Sequence, residues 1–199
     1  LVFGTQLLGS ELDERDSKKI LDFALDKKIL KFDTAERYPF PESSNTYGST
    51  EKIIGNWLIE RKINRNKIEI ATKITGRNFG EIRQIYSQRL TRKAILISVD
   101  RCLKRLKTNY IDILYLHWPD RFTNNFGRTY YSPENDILYI PLEEQLEALY
   151  ILKKNGKIRS FGLSNETPWG IMKFINLDSK KKHLSTLQEE YSLLNRNIE

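Results

Sequence analysis

KFDTAERY, at residues 31–38, is the stretch from which the fold can be predicted. It begins as a short strand, Lys31 to Asp33, and then becomes a polar loop that carries a phenol at Tyr38. Ionisable side chains placed where a strand ends are typical of functional sites in α/β proteins. The stretch therefore predicts a functional loop, provided that later strands also end in suitable partners for Asp33 and Tyr38.

Strand-like and helix-like segments alternate along the rest of the chain. In the first predicted helix, Ile20, Phe23 and Ala24 share one face. A later stripe from Ile95 to Leu106 predicts another helix, with Thr91 as its N-cap. The predicted strands are 1–3, 31–33, 68–74, 110–116, 159–163 and 184–188. The other predicted helices are 50–60, a segment that follows Pro141 and stops near Gly156, and 168–177.

The order of these segments favours a parallel sheet with helical crossovers, because its strands are almost continuously apolar. A doubly wound dinucleotide fold would carry G-x-G-x-x-G after its first strand, and residues 1–3 are followed by no such motif. We therefore predict a (β/α)8 TIM barrel. A full barrel needs eight strands and about 250 residues, so we expect residues 1–199 to be a single, incomplete barrel domain of about six βα units that lacks the last two.

Composition narrows the class of protein. The chain has 199 residues, 39% hydrophobic and 30% charged, which is typical of a soluble globular domain. No run approaches the roughly 18 to 20 apolar residues of a membrane span, so we predict no membrane association. A single cysteine, Cys102, excludes an internal disulfide and suits the cytoplasm. The net charge is +7, but the basic run at 180–182 lacks a nucleic-acid recognition motif, so we predict no nucleic-acid partner.

The predicted strands end in polar side chains that a barrel would bring to one face. Taken singly, Asp33 could cap a turn and Lys73 could be a barrel lysine with a solvated head group. The joint pattern favours a site for one small ligand. Its members, in strand order, are Asp33 and Tyr38, Lys73, His117 and Trp118, Ser164 and Asn165, and Gln188.

These groups have a coherent chemical role. A free tyrosine has a pKa of about 10, and a nearby ammonium such as that of Lys73 lowers the pKa of a phenol. Asp33 would hold the lysine, His117 would polarise a carbonyl oxygen, and Tyr38 would protonate that oxygen as hydride reaches the carbon. None of them can supply hydride, so a nicotinamide cofactor is implied. Its carboxamide suits Ser164, Asn165 and Gln188, while Trp118 would wall the substrate pocket.

The motifs carrying these residues resemble the aldo-keto reductases, and within them the Tas-like proteins related to potassium-channel β-subunits. They are FGT at 3–5, FDTAERY at 32–38, IATKI at 70–74, YIDILYLHWP at 110–119, GKIRSFGLSN at 156–165 and YSLLNR at 191–196. The resemblance implies a (β/α)8 barrel that reduces aldehydes or ketones with NADPH.

The same resemblance implies a role for each residue of the site. The catalytic set would be Asp33, Tyr38, Lys73 and His117, and Tyr38, His117 and Trp118 would contact a small carbonyl substrate. Cofactor contacts would come from Gly4, Thr5, Asp33, Ser164, Asn165 and Gln188, and no metal is expected. Family barrels continue beyond residue 199 with an aromatic that stacks on nicotinamide and a basic loop that binds the adenosine phosphate. We therefore expect that residues 1–199 alone could be inactive.

Two other functions stay open at this point. Lys73 could form a Schiff base in a barrel lyase, although Asp33 would keep that lysine charged. The chain could also belong to a cofactor-sensing regulatory subunit of a larger assembly. The loops at 39–49 and 119–140 are long enough to act as lids or binding loops. The natural substrate, the preference for NADPH over NADH and the oligomeric state are left open by the sequence.

Overall fold

A computed structural model describes residues 1–77, 89–123, 139–179, 183–196 and 198–199. Most of the predicted loop at 119–140, and the basic run at 180–182, lie outside these residues. The strands are β1 Phe3–Gly4, β2 Lys31–Asp33, β3 Glu69–Ile74, β4 Ile111–Leu116, β5 Ile158–Ser164 and β6 Leu184–Gln188. The helices are α1 Glu14–Asp26, α2 Ser49–Glu60, α3 Arg92–Leu106, α4 Leu142–Lys154 and α5 Pro168–Asp178, with a 3-10 turn at Arg65–Lys67.

The six strands form one parallel sheet in the order β1-β2-β3-β4-β5-β6. Each described strand lies beside the strand that follows it in the chain, and a helix follows each of β1 to β5. This is part of a (β/α)8 barrel, and it confirms the predicted fold class. The register pairs Asp33 with Ala71, Lys73 with Tyr115 and Ser164 with Gln188. The carboxyl ends of the strands therefore lie at one edge of the sheet.

The core lies between the sheet and the helices that cover it. Phe32 of β2 meets Trp57 of α2 edge to face, with ring centroids 5.3 Å apart. Ile95 of α3, Leu149 of α4 and Phe161 of β5 are fully buried in the same cluster. The predicted inner face of α2 is confirmed, because Ile53, Ile54, Trp57 and Leu58 are all buried.

The predicted face of α1 is wrong in part. Ala24 is buried, but Phe23 is 61% exposed and Ile20 lies at the surface. The buried residues are Ser17, Leu21 and Ala24, whose i, i+4, i+7 spacing makes one helix face. Ser17 is tolerated there because its hydroxyl donates to the Leu12 carbonyl. A pattern read from apolar residues alone missed this buried serine.

The helix ends follow local rules. Thr91 is the N-cap of α3 as predicted, since its hydroxyl oxygen accepts from the Ala94 N–H at 3.2 Å. Gly156 follows the C-cap of α4 with φ +69°, a left-handed conformation that favours glycine. Pro141 occupies the N-cap of α4, one position before the predicted first turn.

Candidate active site

A buried ion pair joins the ends of β2 and β3. Lys73 Nζ donates to Asp33 Oδ2 at 2.6 Å and to the Thr34 carbonyl at 2.9 Å. The lysine is 1% exposed and the aspartate 9%. Burial lowers the pKa of Lys73, while the charge of Asp33 and its hydrogen bond act in the opposite direction. The pair is held because the parallel register of β2 and β3 brings their carboxyl ends together.

Tyr38 lies over this pair. Lys73 Nζ is 5.0 Å from the centroid of the Tyr38 ring, and the His117 ring meets the Tyr38 ring edge to face at 5.8 Å. The loop that carries Tyr38 is tied to the sheet, because the Glu36 N–H donates to the Lys73 carbonyl at 3.0 Å. The structure thus brings the side chains of Asp33, Tyr38, Lys73 and His117 into one cluster.

The predicted acidification of Tyr38 is wrong for this geometry. Burial first, and the negative charge of Asp33 second, raise the pKa of Tyr38 to about 12, although the positive charge of Arg37 acts in the opposite direction. Lys73 directs its ammonium at Asp33 and the Thr34 carbonyl, so its positive charge is largely balanced by a carboxylate. The phenol therefore keeps its proton throughout the neutral pH range.

His117 is buried directly after β4, where its backbone N–H donates to the Ile74 carbonyl at 2.8 Å. Its pKa lies well below the ordinary value, first because of burial and then because of the charges of Lys73 and Arg37. A neutral imidazole can donate one hydrogen bond to a carbonyl oxygen. Within the described residues, His117 Nδ1, Asp33 Oδ1 and Thr34 Oγ1 are buried without a hydrogen-bond partner. A polar ligand over the strand ends would satisfy such atoms, so these residues fit one.

Trp118 borders the cluster. Its ring lies 4.8 Å from that of His117, and its Nε1–H donates to the Arg77 carbonyl at 2.7 Å. The Arg37 guanidinium stacks on the Trp118 ring, 4.4 Å from its centroid, and forms an ion pair with Glu42. Arg37 was missed by the sequence analysis, since no spacing rule separates it from an ordinary surface arginine.

The ends of β5 and β6 lie beside His117. Asn165 has φ +49°, and its side-chain amide donates to the His117 carbonyl at 2.9 Å and to Ser164 Oγ at 3.1 Å. The Asn165 N–H donates to the Gln188 carbonyl at 3.1 Å. Asn165 therefore links the ends of three strands, and Ser164, Asn165 and Gln188 lie together as the sequence analysis expected.

Gly4 and Thr5 occupy the same edge at the end of β1. Gly4 is in register with Asp33, and a Cβ at Gly4 would meet no atom within 4 Å. The Thr5 hydroxyl donates to the Asp33 carbonyl at 2.9 Å. Gly4 thus leaves open space above β1, while Thr5 positions the backbone of Asp33.

Two acidic residues that support the site, Glu36 and Glu189, had no role predicted from the sequence. Glu36 Oε1 accepts from both the N–H and the hydroxyl of Thr75 at 2.6 Å, which ties the Tyr38 loop to the end of β3. Glu189, directly after β6, accepts from the Glu166 N–H at 2.9 Å. Burial, and to a smaller extent the charge of Glu166, raise the pKa of Glu189 to about 7. Acidic residues just after strand ends were the available signal for both.

The described residues contain no group of three or more His, Cys, Asp or Glu side chains arranged to hold a metal ion. None of their helices combines the length and the apolar character that crossing a membrane would require.

Comparison of the sequence with known proteins gives one family. The profile of the Aldo/keto reductase family matches residues 1–199. Protein tas of Escherichia coli (strain K12) is 39% identical over 202 residues, which cover 100% of this chain and 58% of that protein. The uncharacterized oxidoreductase YrpG of Bacillus subtilis (strain 168) is 31% identical over 207 residues, covering 100% of this chain and 56% of YrpG.

Solved structures agree with the sequence comparison. The thermostable aldo-keto reductase Tm1743, crystallised with the inhibitor epalrestat, superposes with a TM-score of 0.72 at 26% identity, over 98% of this chain and 60% of that one. The holo form of aldo-keto reductase AKR11C1 from Bacillus halodurans gives a TM-score of 0.69 at 29% identity, over 96% and 53%. The chain spans little more than half the length of the relatives it matches.

Proposed function

This chain belongs to the aldo/keto reductase family, and from that premise we propose that it carries the proton-transfer machinery for reducing an aldehyde or ketone to an alcohol with NADPH. The observation that supports this most directly is the buried Lys73–Asp33 pair beneath Tyr38, with the His117 ring 5.8 Å from the phenol ring. Positioned donors around one small space are what a carbonyl that gains negative charge requires.

The cofactor would be held at the strand ends. Ser164, Asn165 and Gln188 offer hydroxyl and amide groups for the nicotinamide carboxamide, and Asp33, Thr5 and the open space over Gly4 lie along the same edge. When bound there, NADPH supplies the hydride. Trp118 would wall the substrate pocket beside His117.

The proton comes from Tyr38. A phenol with a pKa of about 12 is protonated at neutral pH, so it is a donor and not a base. As the substrate oxygen gains negative charge it becomes a stronger base than a phenolate, and the proton then moves from Tyr38 to that oxygen. His117, held neutral by burial, donates a hydrogen bond to the same oxygen and orients the carbonyl. Lys73 and Asp33 position the phenol and set the local field.

The first prediction tests the donor directly. Tyr38→Phe should reduce kcat for aldehyde-dependent NADPH oxidation by about 10²- to 10⁴-fold, with a much smaller change in KM, because the proton is lost while the ring is kept. The rate is measured from the loss of NADPH absorbance, in the longest natural form of the protein that contains these residues.

Tyr110→Phe is the matched control. Tyr110 lies immediately before β4, at the strand end opposite to His117, and its hydroxyl bonds Asn66 at 3.0 Å. That variant should keep wild-type turnover. A Tyr38→Phe enzyme with near-wild-type kcat would remove Tyr38 from the donor role.

A Schiff-base lyase is the second candidate, because burial lowers the pKa of Lys73 and so favours the nucleophilic amine. The 2.6 Å bond to Asp33 favours the ammonium and therefore the reductase. Borohydride trapping with an aldehyde separates the two, since only a Schiff-base enzyme would become covalently labelled at Lys73.

A regulatory subunit that only senses the cofactor would bind NADPH but turn over no member of a panel of aldehydes.

A further inference from the structure

A second concave site lies on the helical layer, away from the strand ends. It is a groove of about 460 Å³ between α2 and α3. Its walls carry Lys52 on α2 and Arg101, Lys104 and Arg105 on α3, with Lys107 just after α3. Spacings of i, i+3 and i+4 place Arg101, Lys104 and Arg105 on one face of α3. We refer to this site as the basic groove.

The charge of the basic groove is mostly unbalanced. Arg105 is paired with the buried Glu51 at 2.6 Å. Among the described residues, the other four cations, Lys52, Arg101, Lys104 and Lys107, form no ion pair. The carboxylate near the rim, Glu14, is bonded by Lys18 at 2.7 Å and by Asn56 at 2.8 Å. Four positive charges therefore share one groove, and of these Lys107 interacts electrostatically with the nearby carboxylate of Glu14.

Helix electrostatics explains only part of this arrangement. Cations in the last turn of a helix interact favourably with its dipole, which accounts for Lys104, Arg105 and Lys107. Lys52 lies in the first turn of α2, where the dipole disfavours a cation, and Arg101 lies before the last turn of α3. Both line the same groove. Helix electrostatics therefore leaves Lys52 and Arg101 unexplained, and an anion bound in the groove would offset the repulsion among the cations.

We propose that the basic groove binds a small molecule that carries several phosphate groups, at a site separate from the strand-end cluster. Four cations match the charge of such a molecule, and arginine and lysine are the side chains that bind phosphate oxygens. The volume lies within the usual range of about 300 to 1,000 Å³ for small-molecule pockets. Arg105, paired with Glu51 and lying 5.7 Å from the Tyr47 ring centroid, forms one side of the groove.

The test uses the full chain and inorganic tripolyphosphate as the probe. Isothermal titration calorimetry should give saturable binding of one probe per chain that weakens as salt rises. The variant Arg101→Gln/Lys104→Gln should weaken binding by about tenfold or more, because two charge-assisted hydrogen bonds are lost. Lys52→Gln should weaken probe binding by a smaller factor, and it is the alternative test if the double variant fails to fold.

Lys153→Gln/Lys154→Gln is the matched control, because it removes two cations from the last turn of α4, outside the groove. It should bind the probe as the wild type does. Absence of saturable binding, or equal weakening by the test and control variants, would overturn the proposal. Much tighter binding of a single-stranded oligonucleotide through Arg101 and Lys104 would replace the small molecule with a nucleic acid.

Discussion

At the scale of the residue, the pKa of Tyr38 depends on its acidic neighbour. The charge of Asp33 raises the pKa of Tyr38, so Asp33→Asn should lower that pKa. Lys73→Met should raise it, because the mutation leaves the carboxylate of Asp33 unopposed. The two variants are compared by tyrosinate absorbance against pH, with the same chain carrying Tyr38→Phe as the reference. Shifts of the same sign in both variants would contradict the coupling of the three residues.

The burial of His117 makes the free energy of unfolding depend on pH. Its folded-state pKa lies well below that of an exposed histidine, so the unfolded chain binds a proton that the folded chain excludes. Above about pH 6.5 this proton binding does not reduce the free energy of unfolding. The free energy of unfolding falls as the pH drops through the pKa of the unfolded state toward that of the folded state. Urea unfolding at pH 7 and pH 5 should therefore show a smaller loss of stability for His117→Gln than for the wild type.

The other histidine provides the control for that experiment. His183 is half-buried just before β6, and the chain has only these two histidines. His183→Gln is measured at the same two pH values as the reference variant. If both variants lost the same part of the dependence of stability on pH, the burial of His117 would not be its cause.

At the scale of the element, α2 and α3 pack closely at Gly55. A Cβ at Gly55 would overlap the Arg105 carbonyl oxygen and come within 2.8 Å of the Leu106 carbonyl carbon. Gly55→Ala should destabilise the fold by about 1–3 kcal/mol, although alanine alone favours a helix. Gly4→Ala, whose Cβ enters open space, should change the free energy of unfolding far less. Urea denaturation measures both, and a stabilised Gly55→Ala would show that the helices separate easily.

At the scale of the whole molecule, β1 and β6 are the two edges of the sheet in the described part of the chain. Leu187 on β6 is 43% exposed, and Leu193 and Leu194 just after it are almost fully exposed. Unpaired strand edges with apolar side chains favour association. A polypeptide of residues 1–199 should therefore self-associate in sedimentation velocity experiments.

Two variants test whether the open strand edge, and not exposed apolar side chains in general, causes the self-association. Leu187→Lys should reduce self-association, because a charge on an edge strand opposes pairing. Ile59→Lys, at an exposed position on α2, should leave it unchanged. A wild-type chain that stays monomeric would contradict this role of the open strand edges.

The sequence by itself determined the order of the elements and the side chains at their ends. Local sequence patterns predicted all six described strands to within two residues, and Asp33, Lys73, His117 and Gln188 each lie within one residue of the carboxyl end of a strand. Parallel strands bring those ends to one edge whatever the details of packing. The proximity of these groups could therefore be predicted from local patterns.

Only the tertiary structure decided how these groups influence one another. The pKa of Tyr38 rises because burial and the charge of Asp33 outweigh the positive charge of Arg37, while Lys73 is already paired with Asp33. Arg37 on Trp118, Glu36 on Thr75 and the outward turn of Phe23 depend on contacts or burial that no local pattern specifies. Desolvation and charge–charge energies depend on distances between residues far apart in the chain. Periodicity encodes which face of an element is apolar, and those distances exist only once the sheet and helices have packed.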